Sequence, residues 1–467
     1  MMHDLKPYPA YKDSGVSWLG NIPEQWELRR TKSLLRERSE KGHPDEPLLA
    51  ATQTKGVVLK EQYENRTVLA VKDLHMLKFV HAGDFVISLR SFQGGIEYAR
   101  DQGIISPAYT VLYTADSTVH GYLSLLFKSR SYIENLRLHV TGIRQGQNLD
   151  YEKLGRSGLP VPSADERFAI VHFLDQADRQ IRRYIRAKQK LVDLLEEQKQ
   201  AVIHRAVTCG INSNARLKQS GLEWQGDVPE HWEVAPLKRA FKSMDYGISE
   251  RSQDDGKVPV LGMGNIRDGN VKIPTSGGVN RVASELLLKP GDLLFNRTNS
   301  AELVGKVGLF RDESIVTFAS YLVRMRPARD NDPRYLNYIL NDYQMLQAVR
   351  REAIPSLHQS NLNPTRYGRL AIALPPAAEQ ILIVSYLDKN TAELERAIAN
   401  AKREISLLRE YRTRLIADVV TGKLDVRQAA ERLPDETEDL TLVDEALEDG
   451  EEAELTSDEL AEEEVIA

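Results

Sequence analysis

The stretch "SGVSWLGNIPEQWE", residues 14–27, returns as "SGLEWQGDVPEHWE" at residues 220–233. Aligning residues 11–32 with 217–238 pairs Lys12 with Lys218, Ser14 with Ser220, Gly15 with Gly221, Trp18 with Trp224 and Gly20 with Gly226. It also pairs Pro23 with Pro229, Glu24 with Glu230, Trp26 with Trp232, Glu27 with Glu233 and Lys32 with Lys238. All four tryptophans of the chain lie inside these two copies. Tryptophan brings a large apolar surface with a single N–H, so two per copy mark a docking site of fixed geometry more than a linker. A chain that writes this phrase twice is built from two similar halves, each pinned to something central.

A second repeat follows at an offset of 213 residues. "LPVPSADERFAIVHFLD" (159–175) matches "IALPPAAEQILIVSYLD" (372–388). Prolines end an extended segment, and Glu166 or Glu379 falls in the first turn of a long helix. Steps of three and four from Leu174 select Asp178, Ile181, Ile185, Lys188, Val192, Leu195, Lys199 and Val202. From Leu387 they select Thr391, Leu394, Ile398, Ala401, Ile405, Leu408, Arg412 and Leu415. This is the spacing of a coiled-coil seam. A helix over 165–206 would form a rod of roughly 60 Å. The two stripes can bury each other, antiparallel if the halves are related by a two-fold axis, or each can pack on its own globular domain.

Between these frames lie regions of similar size, about 30–155 and 238–365, whose sequences differ much more. "HAGDFVISLRSFQGG" (81–95) still parallels "KPGDLLFNRTNSAEL" (289–303). β-rich runs follow at 103–113 and 314–325, then polar stretches "TGIRQGQNL" (141–149) and "EAIPSLHQSNL" (352–362). Alternating β-formers between Gly-Asp turns predict mixed sheet structure.

Composition narrows the function class. The chain has 467 residues, enough for several domains, and its single cysteine, Cys209, excludes an internal disulfide framework. No apolar run is long enough to span a membrane and the N-terminus has no signal-peptide pattern, so a cytoplasmic protein is expected. The net charge of −6 hides an asymmetry. Residues 434–467 hold 16 acids and no Lys or Arg, which leaves a net of +10 on the rest. A basic body with an acidic tail is a layout common among nucleic-acid-binding proteins. The tail is expected to be disordered, since it has little apolar surface to bury.

The order of these parts, frame, variable domain, long helix and the same again, resembles the specificity subunit of Type I restriction–modification systems. The residues that carry the likeness are the two Trp-rich phrases, the two Gly-Asp segments and the two "LP…P…E(R/Q)" helix starts. The resemblance implies an α+β fold: two mixed α/β target-recognition domains separated by two long helices that form an antiparallel coiled coil, with internal pseudo-two-fold symmetry. It divides the chain into recognition domains at 1–155 and 216–368, helical spacers at 156–215 and 369–433, and a tail at 434–467. It also implies a split double-stranded DNA target, two methyltransferase (modification) subunits and restriction/translocase subunits as partners, and no membrane. The acidic tail departs from the family pattern. Half-sites one helical turn apart would lie ~34 Å from each other, within reach of such a rod.

Base edges are read by Arg or Lys on guanine and by Asn or Gln on adenine. On that chemistry the candidate DNA contacts of the first domain are Arg90, Ser91 and Gln93, together with Arg144, Gln145 and Gln147. Those of the second are Asn265, Arg267, Asn296, Arg297, Thr298 and Asn299, with His358 and Gln359. A catalytic site is not expected. There is no phosphate-binding G-x-x-x-x-G-K-[ST] loop, no H-x-x-x-H metal spacing and no His paired with Cys209. "GMGN" (262–265) and "NPT" (363–365) read as turns. Neither a cofactor nor a metal is expected. The alternative function is a duplicated coiled-coil scaffold that binds proteins and not DNA.

Overall fold

The computed structural model describes residues 5–53, 55–62, 73–141, 148–355 and 359–434. They gather into two compact units. One combines the described residues up to Ile185 with those from Ser406 onward, and the other is Arg186–Ile405. Six helices of eight residues or more occur among the described residues: α1 (His120–Phe127), α2 (Arg130–Arg137), α3 (Ala164–Cys209), α4 (Pro333–Leu340), α5 (Tyr343–Arg351) and α6 (Ala377–Val420). The two long helices, α3 and α6, start just after the two proline segments and carry Glu166 and Glu379 in their first turns.

The Trp-rich phrase folds the same way in each unit. Its first half is a hairpin, Tyr11–Asp13 with Asn21–Pro23 and Leu217–Gln219 with Asp227–Pro229, in the same register. Its glycines Gly15, Gly20, Gly221 and Gly226 all have φ between +62° and +73°, a backbone that only glycine adopts cheaply. Its last strand pairs with the proline segment, Glu27–Arg30 on Gly158–Val161 and Glu233–Pro236 on Ala371–Leu374. The two sequence repeats are therefore one joint: the chain enters and leaves the region between them through adjacent strands.

What the second tryptophan of each copy, Trp26 or Trp232, docks on is the end of a long helix. Trp26 and Trp232 are buried. In the second unit the glycine that follows α3, Gly210 (φ +70°), stands where a Cβ would lie 3.4 Å from the Trp232 ring. In the first, a Cβ on Gly422 (φ +80°), beyond α6, would fall 3.0 Å from the Trp26 ring and 2.4 Å from Pro23. The buried tyrosines of α1 and α4 seal the same ends: Tyr122 donates to Val420 O at 2.8 Å and Tyr335 to Val207 O at 3.4 Å. Trp232 Nε1 also donates to Glu379 at 3.2 Å, and His231 Nε2 lies 2.7 Å from the other oxygen of that carboxylate. The next motif residue ties the helix start to the region between the repeats. Arg167 donates to Thr118 Oγ1 and Pro162 O, while Gln380 bonds Asn331, Pro375 O and the Asp332 N–H.

The predicted seam is the buried stripe of the long helices. Ile181, Ile185 and Leu415 are buried in the first unit, and Val192, Ile398, Ala401 and Ile405 in the second. In the second unit Lys188 pairs with Glu404 (2.6 Å), Glu196 with Lys402 (2.8 Å) and Lys199 with Glu395 (2.6 Å). Numbers rise on α3 as they fall on α6, so the helices run antiparallel. The charged seam residues Asp178 and Arg412 pair in the first unit.

Each unit carries a sheet with the Gly-Asp strand inside it, antiparallel in the first unit and, in the second, antiparallel except where Asn270 pairs parallel with Leu309. In the first the order is Arg36–Arg38, Thr110–Tyr113, Phe85–Ile87, Glu97–Tyr98. In the second it is Phe241–Tyr246, Leu322–Pro327, Leu293–Asn296, Val307–Leu309, extended by Asn270–Val271 and Ile266–Arg267. Among the described residues no helix is long and apolar enough to cross a membrane.

Candidate nucleic-acid interface

The Gly-Asp turn aims its strand in the same manner in both domains. Asp84 N donates to His81 O, and Asp292 N to Lys289 O, each at 3.0 Å. The intervening glycines, Gly83 and Gly291, both have φ +95°, the left-handed third position of a type II turn. Each aspartate is then anchored by an arginine, Asp84 by Arg38 at 3.0 Å and Asp292 by Arg326 through two bonds of 2.8 Å. Burial raises the Asp84 carboxyl above its usual range against the pull of Arg38. These aspartates therefore build the strand's start, and the loop at its far end is the variable part.

In the first domain that loop contains the short helix Ser91–Gly94. Ser88 N donates to Ser91 Oγ at 2.8 Å, which turns Ser91 inward and buries it. Arg90 and Gln93 are left exposed. Lys128 holds the loop from below: its ammonium donates to Gln53 O, Gly94 O and Glu97 at 2.9, 2.8 and 2.6 Å. Burial pushes the Glu97 carboxyl up to about 7 against the opposing pull of Lys128. Gln53, exposed at the tip of the hairpin Leu49–Thr52 with Gly56–Leu59, packs on Gly94, where an added Cβ would meet it at 2.7 Å. Arg144, Gln145 and Gln147 lie outside the described residues, between the paired strands Val140–Thr141 and Asn148–Leu149.

In the second domain the candidates converge. Asn296 ends the Gly-Asp strand, is buried, and donates to Met263 O at 3.4 Å, which joins it to the 262–265 turn. Asn265 closes that turn by accepting from Gly262 N at 2.7 Å and donating to Lys272 O at 2.9 Å. Arg297 lies over the Tyr246 ring, 5.1 Å from its centroid, and donates to Ser320 O and Asn361 Oδ1 at 3.2 Å each. Thr298 is buried and accepts from Asn361 Nδ2, and the strand Thr298–Asn299 pairs with Ser360–Asn361. Asn299 accepts from Ser300 N at 2.8 Å. Gln359 is exposed beside this pair, and His358 lies outside the described residues. Arg267 is exposed on the edge hairpin Ile266–Arg267/Asn270–Val271.

Two tyrosines at this corner carried no sequence signal. Tyr246 and Phe295 flank Val323 in the sheet, and Arg297 N donates to Tyr321 O. Tyr246 is 46% and Tyr321 49% exposed, so one sheet end presents a guanidinium over one aromatic face, with a second exposed tyrosine bonded to Arg297 through the backbone. Such a surface can donate to base edges or phosphates and stack on or pack against a groove wall. Among the described residues no group of His, Cys, Asp and Glu has a metal-binding arrangement.

Comparison with known proteins agrees with this plan. Residues 229–402 match the family described as Type I restriction modification DNA specificity domain. The putative type I restriction enzyme MjaX specificity subunit of Methanocaldococcus jannaschii is 27% identical over 203 residues, 42% of this chain and 47% of that one. The match thus spans about half of that relative's length. The type I restriction enzyme StySPI specificity subunit of Salmonella potsdam is 23% identical over 360 residues, 74% of this chain and 71% of that one. In fold, a solved chain described for complex assembly and conformational transition of the type I R-M system superimposes with a TM-score of 0.64 at 16% identity, covering 86% of this chain and 99% of that one. With its two Trp-rich joints, its paired long helices and its two Gly-Asp sheets, the chain is similar to the specificity subunits of Type I restriction–modification systems, and its residues 229–402 match their DNA specificity domain.

Proposed function

We propose that this chain is the non-catalytic, cytoplasmic reader of a split double-stranded DNA sequence, each unit taking one half-site. The observation that carries this reading is a frame repeated twice that holds two unlike polar loops at the same sheet corner. Different side chains on one geometry are what two different half-sites require. Exposed Arg90, Gln93, Arg267 and Gln359 are assigned to DNA directly, and Arg297 with Tyr246 and Tyr321 to the wall of the groove. Ser91, Asn265, Asn296, Thr298 and Asn299 hold the loops in shape, since each has at least one polar atom bonded to the chain itself.

The long helices are assigned to two methyltransferase subunits, and restriction subunits join through that assembly. Support comes from exposed apolar residues that recur at the repeat offset: Phe168 (73% exposed) with Ile381 (53%), and Leu407 with Leu194 (both 54%). Phe168 and Leu407 belong to the first unit, Ile381 and Leu194 to the second. Exposed apolar side chains at matched places on the two helices support docking of two copies of one partner.

The test is sequencing of methylated bases in host DNA with and without the gene. A split motif with a fixed gap that loses its methylation on deletion is expected. Retention of every methylated motif, together with salt-indifferent behaviour of the purified complex toward duplex DNA, would leave only a protein scaffold.

A further inference from the structure

The loops that differ most between the two recognition domains are held by one and the same device. Helices α2 and α5 correspond at the repeat offset of 213, with Tyr132 and Met345, and Leu136 and Val349, buried at matching places. At the next position along, Arg137 and Arg350 leave the helix and donate to a main-chain carbonyl in the loop after the Gly-Asp strand. Arg137 Nε reaches Phe92 O at 3.4 Å, and Arg350 Nη2 reaches Glu302 O. The loops have little sequence in common, "SFQGG" (91–95) against "TNSAELVG" (298–305). A bond to a carbonyl does not depend on loop side chains, so it survives their exchange.

Each loop also ends on a left-handed glycine pressed against a neighbouring helix, the end of α1 in the first unit and α5 in the second. A Cβ on Gly95 (φ +89°) would lie 2.3 Å from Phe127 O, and one on Gly305 (φ +87°) 2.5 Å from Val349. The loop is thus fixed at one point by the close approach of its glycine and at a second by the arginine. Just beyond each arginine the chain enters the second candidate segment, the hairpins Val140–Thr141/Asn148–Leu149 and Ile354–Pro355/Ser360–Asn361. We infer that Arg137 and Arg350 are positioning residues for specificity: each locks the reading loop of its own domain to the helix leading into the second reading segment. This rests on the DNA-reading function proposed above.

The test uses the full chain selected against a duplex library of random sequence, with Arg137→Gln and Arg350→Gln beside the natural protein. Each variant is expected to lose about tenfold in preference at one half of the enriched motif, Arg137→Gln at one half and Arg350→Gln at the other, the equivalent of one hydrogen bond. The thermal midpoint and the salt dependence of binding to an unrelated duplex should not change. Arg137→Lys and Arg350→Lys keep the charge but lose the guanidinium geometry, and the same one-sided loss is expected. Uniform weakening on all duplexes with a salt slope reduced by about one would make these residues phosphate contacts and overturn the inference. Unchanged motifs, full recovery by lysine, or a loss that tracks a lowered midpoint would overturn it as well. If the natural protein enriches no split motif, the DNA-reading function itself has failed, and the two failures are told apart.

Discussion

Trp232 and Trp26 occupy equivalent places but are not energetically equivalent. Trp232 donates to the carboxylate of Glu379, whereas Trp26 Nε1 has no hydrogen-bond partner among the described residues and packs edge-on to Tyr8 and Tyr122. Phenylalanine removes the N–H and part of the ring from either site. Trp232→Phe should therefore cost about 1.5–3 kcal/mol more than Trp26→Phe, the value of a hydrogen bond to a charged group. Urea unfolding of the two variants decides this. Equal losses would mean that the joint is held by packing alone, with His231 sufficient for Glu379.

At the scale of elements, α5 illustrates how a recognition domain is fastened to a long helix. Its N-cap, Asp342, is fully buried, accepts from Gln344 N and Met345 N, and lies 3.0 Å from His204 Nδ1 on α3. The hydrogen bond to Asp342 raises the pKa of His204 above its ordinary value, against the effect of burial. A histidine with a raised folded pKa stabilises most when it is protonated in both states. Its contribution is complete below about pH 6.5 and fades as pH climbs through the raised folded value. The difference in thermal midpoint between the natural chain and His204→Asn should accordingly be largest in mild acid and shrink toward alkaline pH. A difference that is flat with pH would show that His204 acts as a neutral donor. The matching N-cap of α2 is Ser129, and the residue matching His204 at the offset of 213 is Ala417, so the effect belongs to the second unit alone.

For the molecule as a whole, the repeat predicts stoichiometry. If Phe168 with Leu407 and Ile381 with Leu194 mark two docking patches, the double variant Ile381→Glu/Leu194→Glu should bind one methyltransferase subunit instead of two. Adding Phe168→Glu and Leu407→Glu should abolish the second. Mass measurement of the reconstituted complex, with duplex binding by the free chain as a check on folding, reads both outcomes. Two bound subunits in the first variant would remove these patches from the docking surface.

The two halves, the long helices, their seam and the helix starts were legible in the order of residues, because each is local or periodic. A stripe at three and four spacing, a proline before a first-turn glutamate and a phrase written twice need no tertiary knowledge. The family resemblance came from that same linear order. The candidate interface was legible only in part. Arg90, Gln93, Arg267 and Gln359 are exposed, as candidates chosen by residue chemistry need to be, but Ser91, Asn296 and Thr298 are buried, each with a polar atom bonded to the Ser88 N–H, Met263 O or the Asn361 side chain. Tyr246, Tyr321, Arg137 and Arg350 carry no sequence signal, since each is placed by a neighbour distant in sequence. The partner of the Trp-rich phrase was hidden for the same reason: Trp26 packs at Gly422, almost the full length of the described chain away. Periodicity and duplication are properties of the chain read in order. Exposure, pairing and docking depend on which remote segments close over a residue, and only the folded structure decides that.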